Sequence, residues 1–550
     1  MYISISQLEG EITRTKDSEH LMATGAFKLI KSESYKFKRD LNDPNAEGKV
    51  LIFVSHDADS LCAAQILSSL LQNEFISYII RPVSSFEELV RCCRDDIDNE
   101  TFSVFLINCA GSIPVLQYLS IPLHVTVYIC DSHLPLHQQN LDDQQQVLVL
   151  PTDLYSGEDE DDKENEESNS RRSDVGSYYG ISASRMMYEM SVQTKKANLE
   201  HLWLAIVGFT SQHVHHRMDD DIYERELNYF RQANSEFARD SQYERESRFD
   251  DTILYGKDFK FPLYRHWTLY DSMYHSTYVA SRLGVWTESG KKNLKTILVR
   301  LGVPLDECMN KWSVMNTQNK AIVTEGMQEV ASSYGLENLT VKSFYKNLGY
   351  RLQVSASDVA MAVEALLSSG LEPSKNFWKA FDALRSSDAN SSVLEAGIES
   401  AIQVQQAIIR QGTLVIEKQV LNHSGPFRYA FINSAMDCNL FISPSPLVRL
   451  GEYIKEIVTE YGKNKQKKLQ KKPLALLCFD PENDSWVVAG LPPTPASSSK
   501  KNKFGYALEH AASKTMSRIS SHSFDPALLS ILKGDIKMFM DYLHTPARNE

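Results

Sequence analysis

The sequence predicts an α/β protein. Its N-terminal domain is expected to be a mostly parallel sheet with helices on both faces, followed by a helical middle domain and a smaller C-terminal α/β domain. Three observations carry that reading. Short apolar runs alternate with helical periodicity between residues 50 and 150, the pattern of strands buried on both faces and joined by crossover helices. Helical spacing then dominates from about Phe261 to Ser369. Strand signals return after one helix near 393–410. The divisions are therefore 1–255, 256–394 and 395–550.

Within the first division, Val50 to Val54 (VLIFV) reads as a strand and Ser60 to Leu71 as a helix, with Leu61, Ala64, Ile66, Leu67, Leu70 and Leu71 at helical spacing. Phe75 to Ile80 is a second strand. Ser85 and Glu88 form a capping box for a helix through Arg94. Phe102 to Ile107 and Val125 to Cys130 are the next strands, with a turn near Pro114 to Leu119 and a fifth strand at Val147 to Leu150. An acidic insertion follows at about 156–175; its core, residues 158–167, holds eight carboxylates and one lysine and lacks the apolar groups that would fold it. Helices are expected at 181–190, 199–209 and 221–239. The middle domain breaks at Gly302 to Pro304 and Gly370 to Pro373. In the last division the expected strands are Thr413 to Ile416, Tyr429 to Ile432, Asn439 to Ile442, Leu474 to Phe479 and Trp486 to Ala489.

Composition narrows the function classes. The 550 residues carry 58 Lys and Arg against 71 Asp and Glu, a net charge of −13, which argues against a protein that coats duplex DNA by bulk positive charge. The eight cysteines form no C-x-x-C pair, so a zinc ribbon is not expected and the thiols read as reduced and buried, in keeping with an intracellular protein. No apolar run is long enough to span a bilayer and the first thirty residues hold no signal-peptide core. Gly284 to Lys291 fails as a phosphate loop, because five residues separate its glycines and Lys292 stands where Ser or Thr is needed. ATP hydrolysis is not expected.

The residues able to carry chemistry converge at strand ends. Asp57 and Asp59 follow the first strand at the carboxyl edge of a parallel sheet, where α/β proteins place their sites. Alternate residues of an extended segment face the same way, so both carboxylates can line one cleft. The fourth strand ends in Cys130-Asp131-Ser132-His133. Clustered Asp and His is what a two-metal phosphoesterase uses.

Asp57-Ala58-Asp59 and Asp131-Ser132-His133, each after a strand, resemble the first and third motifs of the DHH phosphoesterase superfamily, which includes the RecJ exonuclease. The resemblance also shows what is missing. Asn108 stands for an aspartate of the second motif, Ser132 for the middle histidine and Gln212 for a further metal-binding aspartate, while Ser55 and Ser60 replace the residues that open and close the first motif. Two divalent ions bring four positive charges, against three negative charges from Asp57, Asp59 and Asp131; neutral amides are poor substitutes for bridging carboxylates. Metal ligands and catalytic residues are therefore expected to be none, with Asp57, Asp59, Asn108, Asp131, His133 and Gln212 as degenerate motif positions.

Further ordered blocks resemble the eukaryotic branch of that superfamily whose nuclease site is lost. They are Leu202 to Gln212, Leu263 to Trp286, Ala356 to Val359, Ser424 to Phe427, and the tail from Phe504-Gly505-Tyr506-Ala507 to Phe524-Asp525. This resemblance implies a non-catalytic, nuclear subunit of the replicative DNA helicase with no cofactor of its own and no membrane contact. Its implied partners are the minichromosome maintenance ring, the GINS complex, single-stranded DNA, replication initiation factors and polymerases. Two other readings stay open at this point: an active manganese-dependent single-strand exonuclease, and an adaptor without DNA contact. For the aromatic stripe Trp267, Tyr270, Tyr274 and Tyr278, core packing on one helix is the default. His213, His215 and His216 with Asp219 to Asp221 read as a helix-end charge cluster rather than a metal site. The lysine run 463–472 reads as a solvated loop, with contact to an anionic partner as the sharper view.

Overall fold

The computed structural model describes residues 26–32, 34, 48–143, 145–151, 176–240, 252–348, 352–370, 372–385, 388–423, 426–432, 438–462, 472–493 and 501–544. The acidic tract, Lys463 to Lys471 and the Pro/Ser loop from Thr494 onward lie outside these. The chain forms two compact units, one of residues up to 212 with 523–525, the other of the remainder from 213.

The first unit is built on β1 (Lys49–Ser55), α1 (Ala58–Asn73), β2 (Ser77–Val83), α2 (Phe86–Asp96), β3 (Thr101–Ile107), β4 (Thr126–Cys130) and β5 (Val147–Val149). The strand order is β2-β1-β3-β4-β5 and every pairing is parallel. Residues 50–54 have no exposed surface, as expected for a run without polar alternation. α3 (Ala183–Gln193) and α4 (Leu199–Val214) complete the unit, α3 packing on α1. The sheet order reverses between β1 and β3, so the crevice at the switch point lies beyond Ser55 and Ile107. Ser85 caps α2 as expected, accepting from the Glu88 N–H at 3.2 Å. The Glu88 carboxylate, however, reaches one residue further and takes the Ser84 N–H at 2.8 Å.

The second unit contains α5 (Asp220–Asp240), β6 (Ile253–Phe259), α6 (Leu269–Tyr274), α7 (Thr277–Leu283), α8 (Glu288–Arg300), α9 (Thr317–Ser332), β7 (Thr340–Leu348), β8 (Leu352–Ser355), α10 (Ala356–Leu367), α11 (Pro373–Ala383) and α12 (Asp388–Glu417). It continues with β9 (Arg428–Ile432), α13 (Pro444–Gly462), β10 (Leu474–Asp480), β11 (Ser485–Leu491), α14 (Phe504–Thr515), β12 (Ile519–Ser521), β13 (Leu528–Leu532) and α15 (Ile536–Leu543). The division read as dominated by helices also carries an antiparallel sheet, β8-β7-β6. A larger mixed sheet runs Asn422–His423, β9, β10, β11, β13, β12, with β9 and β10 parallel.

Three local expectations are corrected. Thr413 to Ile416 is the last turn of the 30-residue α12, not a strand. Its β-branched residues satisfy a helical stripe, since Val404, Ile408 and Val415 are buried on it together with Ala401, and packing overrides propensity. A Cβ at Gly412 would lie 2.4 Å from the Tyr453 ring, so the glycine lets α12 and α13 approach. Asn439 to Ile442 falls largely in the helical turn Cys438–Phe441. Trp267, Tyr270, Tyr274 and Tyr278 do pack against the core of this unit or lie buried, but not on one helix: Thr268 and Ser276 each cap a new one.

Buried charge is concentrated around Arg265. Its guanidinium lies 3.0 Å from Asp258 and 3.8 Å from Asp358, and the His266 ring nitrogen is 3.4 Å from Asp358. Asp358 also closes a capping box on α10, accepting the Ser355 N–H at 3.0 Å. Burial pushes the Asp258 carboxyl up and Arg265 offsets this only in part. Burial works the same way on Asp358, where His266 and Arg265 outweigh it and hold the carboxyl below its usual range. Replacing Arg265 by methionine leaves two buried carboxylates facing each other. Arg265→Met is expected to cost about 3–5 kcal/mol at pH 7, read by thermal or denaturant unfolding. Both carboxyls would then have raised pKa values, so the deficit should shrink as pH falls toward 5; a deficit that grows instead would contradict this account.

Candidate functional site

The switch-point crevice collects the ends of β1, β3 and β4. Asp57 is the N-cap of α1: its Oδ1 accepts the Ser60 N–H at 2.9 Å and its Oδ2 the Ser60 hydroxyl at 2.6 Å. Ser60, at the end of the first motif, therefore completes a cap. Asp59, the second residue of the helix, is 1% exposed. Its carboxylate accepts the backbone N–H of Ala183 at 2.7 Å and of Ser184 at 3.0 Å, the first two residues of α3. An anion at a helix start is favoured by the unsatisfied N–H groups and the helix dipole.

Asn108 occupies the centre. It follows β3 with φ 50, a left-handed conformation that asparagine tolerates better than most side chains. Its Nδ2 donates to Asp59 Oδ2 at 3.1 Å and, more weakly, to Asp57 Oδ1 at 3.4 Å. Its Oδ1 accepts the Ser132 N–H at 2.8 Å. One carboxamide thus ties β1, β3 and β4 together at their carboxyl ends.

Asp131 faces the other way along the same edge. Its Oδ2 accepts the Gly111 N–H at 2.8 Å. Its Oδ1 accepts the His133 N–H at 2.9 Å and lies 2.7 Å from His133 Nδ1. The structure therefore brings Asp57, Asp59 and Asn108 into one hydrogen-bonded group, joined through Ser132 to the Asp131–His133 pair. Gln212 is buried in α4, but its amide oxygen has no hydrogen-bond partner and it makes no bond to the cluster. Burial, reinforced by the negative charge of Asp57, raises the Asp59 carboxyl. Burial lowers the neighbouring His56, against the pull of Glu88 and Asp57. The Cys62, Cys109 and Cys130 thiols are all pushed up by burial, which makes them poor nucleophiles.

This donor set does not fit a pair of divalent ions. Each oxygen of Asp57, Asp59 and Asp131 already accepts an N–H or O–H from the chain itself. Between Asp57 and Asp59 stands the N–H₂ of Asn108, a donor rather than a ligand. Elsewhere, the histidines at the end of α4 are dispersed: His213 lies 3.3 Å from Asp220 and His215 3.8 Å from Glu364.

Sequence reasoning missed four contributors. The Ala183 and Ser184 amides carry no side-chain signature. Gly111 and Gly208 do: a Cβ at Gly111 would lie 2.7 Å from Asp131, and one at Gly208 would lie 2.8 Å from Asp59 and 2.3 Å from Ser184. A glycine inside the apolar run of α4 costs helix stability and so marks a close approach.

Restoring a carboxylate at position 108 tests the network. Asn108→Asp replaces a bridging donor by a third anion and is expected to lower stability by about 2–4 kcal/mol at pH 7.5. Folded-state carboxyl pKa values raised by that crowding give stability that is complete at low pH and lost as pH rises, so the deficit should shrink between pH 8 and pH 5. Millimolar Mn²⁺ should raise the melting temperature of the variant and leave that of the parent unchanged; an equal rise in both would mean that the parent cleft holds the ion.

Comparison with known proteins places these features in a family. A family model described as CDC45 matches residues 50–175 and 158–546. A Dictyostelium discoideum protein named cell division control protein 45 homolog is 28% identical, over 90% of this chain and 95% of its own length. The Homo sapiens protein of that name is also 28% identical, over 92% and 98%. The crystal structure of CDC45 from Entamoeba histolytica superposes with a TM-score of 0.72 at 22% identity, covering 95% of this chain and 98% of that one, and so shares the fold.

Proposed function

The chain belongs to the CDC45 family, with a role in DNA replication and the cell cycle, and from that premise we propose that it is a non-catalytic scaffold subunit of the eukaryotic replicative DNA helicase. In this reading it bridges the minichromosome maintenance ring and the GINS complex, contacts single-stranded DNA, and acts in the nucleus at initiation and on the moving fork alongside initiation factors and polymerases. Residues 1–255 serve as the degenerate DHH domain, 256–394 as the interdomain and 395–550 as the C-terminal domain.

One observation carries the non-catalytic part: the Asn108 amide stands between Asp57 and Asp59. A two-metal mechanism needs bridging anions that hold its ions about 3.5–4 Å apart. Here the crevice spends its anions on helix starts and strand ends. Its polarity is used to hold shape, which suits a subunit whose work is contact. Among the described residues no helix is long and apolar enough to cross a membrane.

Pull-down with purified components is expected to recover both ring and GINS subunits; recovery of neither sinks the scaffold reading. Labelled single strands incubated with Mn²⁺ should survive. Rapid loss of label that Asp57→Ala abolishes would instead identify an exonuclease. Retention of single strands should weaken steeply between 50 and 200 mM salt, as phosphate contacts require; salt-independent or absent retention would leave an adaptor without DNA contact.

A further inference from the structure

The first residue of β9 breaks the pattern of its strand. Parallel register aligns Arg428 with Leu474, Ala430 with Leu476 and Ile432 with Cys478, and aligned residues of neighbouring strands share a face of the sheet. The other five are aliphatic or thiol side chains, and all are buried. This is the face that α13 covers, since a Cβ at its Gly451 would lie 3.3 Å from the Leu476 side chain. Phe427 and Tyr429 point to the opposite face, into the core beneath α14 and α15. A charged side chain therefore stands where the strand asks for an aliphatic one, and it is 2% exposed. A local rule broken in this way, without an evident packing gain, is typical of functional positions.

The fold answers the charge of Arg428 poorly. Its Nη2 donates to Lys472 O at 2.6 Å, while its Nε is buried with no hydrogen-bond partner. No carboxylate among the described residues pairs with it, and burial alone acts on the guanidinium, pulling it below its ordinary value. Other buried or half-buried cations are answered. Arg185 has Glu189 at 2.8 Å, Arg265 has Asp258 at 3.0 Å and Lys455 has Glu452 at 2.8 Å. Arg449 has the Gln405 amide oxygen and the negative charge of Glu364. A buried charge without a counter-ion costs far more than a paired one.

Further positive charge gathers at the same rim. His423 is aligned with Arg428 across an antiparallel pair, and Lys472 immediately precedes the proline before β10. Burial holds the His423 imidazole below its ordinary value, and the charges of Arg428 and Lys472 lower it further. Two cations and an imidazole thus meet at the amino ends of β9 and β10, in a chain whose net charge is −13.

We propose that this rim is a binding site for a single phosphate-type oxyanion, with Arg428 Nε donating to it and Lys472 and His423 flanking it. Nη2 keeps a second N–H beside that of Nε, and this fork matches two oxygens of such a group. A group bearing up to two negative charges suits the cations gathered there better than a carboxylate does. The site is independent of the scaffold reading.

The test titrates the full chain with inorganic phosphate, at an ionic strength matched with chloride, and reads binding by calorimetry and by melting temperature. Phosphate is expected to bind the parent and to raise its melting temperature. Arg428→Met should melt at or above the parent temperature in chloride alone, because it removes an unpaired buried charge, and should show neither binding nor a phosphate-dependent shift. Lys472→Gln, which keeps the backbone carbonyl, should weaken binding by about tenfold, and His423→Gln should weaken it as well. Phenyl phosphate carries the same group on a ring and separates the sources: binding of both probes makes the ligand a phosphomonoester, binding of inorganic phosphate alone a free ion. The site is overturned if the parent binds neither probe, or if phosphate shifts Arg428→Met as much as the parent. It is also overturned if Arg428→Met melts well below the parent in chloride, which would show that the fold itself satisfies the guanidinium.

Discussion

A single carboxamide governs the crevice. Asn108 donates to two carboxylates and accepts from the backbone of the next strand end, so the ends of β1, β3 and β4 cannot separate without leaving buried polar atoms unpaired. A hydrogen bond to a charged group contributes about 1.5–3 kcal/mol, and an orphaned partner costs as much. The other placements follow. With Asn108 satisfying one oxygen of Asp59, the remaining capacity of that carboxylate is directed at the start of α3. With α3 drawn to that point, α4 must pass close by, which Gly208 permits.

Two clusters handle buried charge differently. In the crevice, Asp57 and Asp59 meet neutral donors: amide groups, a hydroxyl and a helix start. In the second unit, Asp258 and Asp358 meet the cation Arg265. Neutral donors do not have to be stripped of a charged hydration shell, so the first arrangement carries a smaller desolvation cost.

Much of this was legible in the sequence, for identifiable reasons. The parallel sheet was readable because β1 and β3 are continuous apolar runs bounded by polar turns. The motif positions Asp57, Asp59, Asn108 and Asp131 were readable because each directly follows a strand, and strand ends share an edge. Gln212 was placed by the family resemblance alone, and it joins no bond in the cluster. The end of α12 was misread because Thr413, Val415 and Ile416 have strand propensity, while burial of Val404, Ile408 and Val415 on one helical stripe decides for helix. The sheet of β6, β7 and β8 escaped notice because its pairing joins segments some eighty residues apart, and local periodicity carries no information about such a partner. The Ala183 and Ser184 amides are invisible to sequence because every residue has one.

An amide in place of a metal ligand also changes how stability depends on surroundings. A site that binds an ion only when folded adds RT ln(1 + [M]/Kd), about 2.7 kcal/mol at a hundredfold excess over Kd, and loses that contribution when the ion is scarce. The Asn108 network supplies its stabilisation from within the chain, independent of ion supply. Any loosening of β1, β3 and β4 would move every surface built on the sheet. The same reasoning explains why the carboxylates of the crevice are paired instead of simply removed. Removing Asp59 outright would free the start of α3 and expose unpaired N–H groups. Keeping the carboxylates and supplying them with internal donors preserves the architecture of the strand ends.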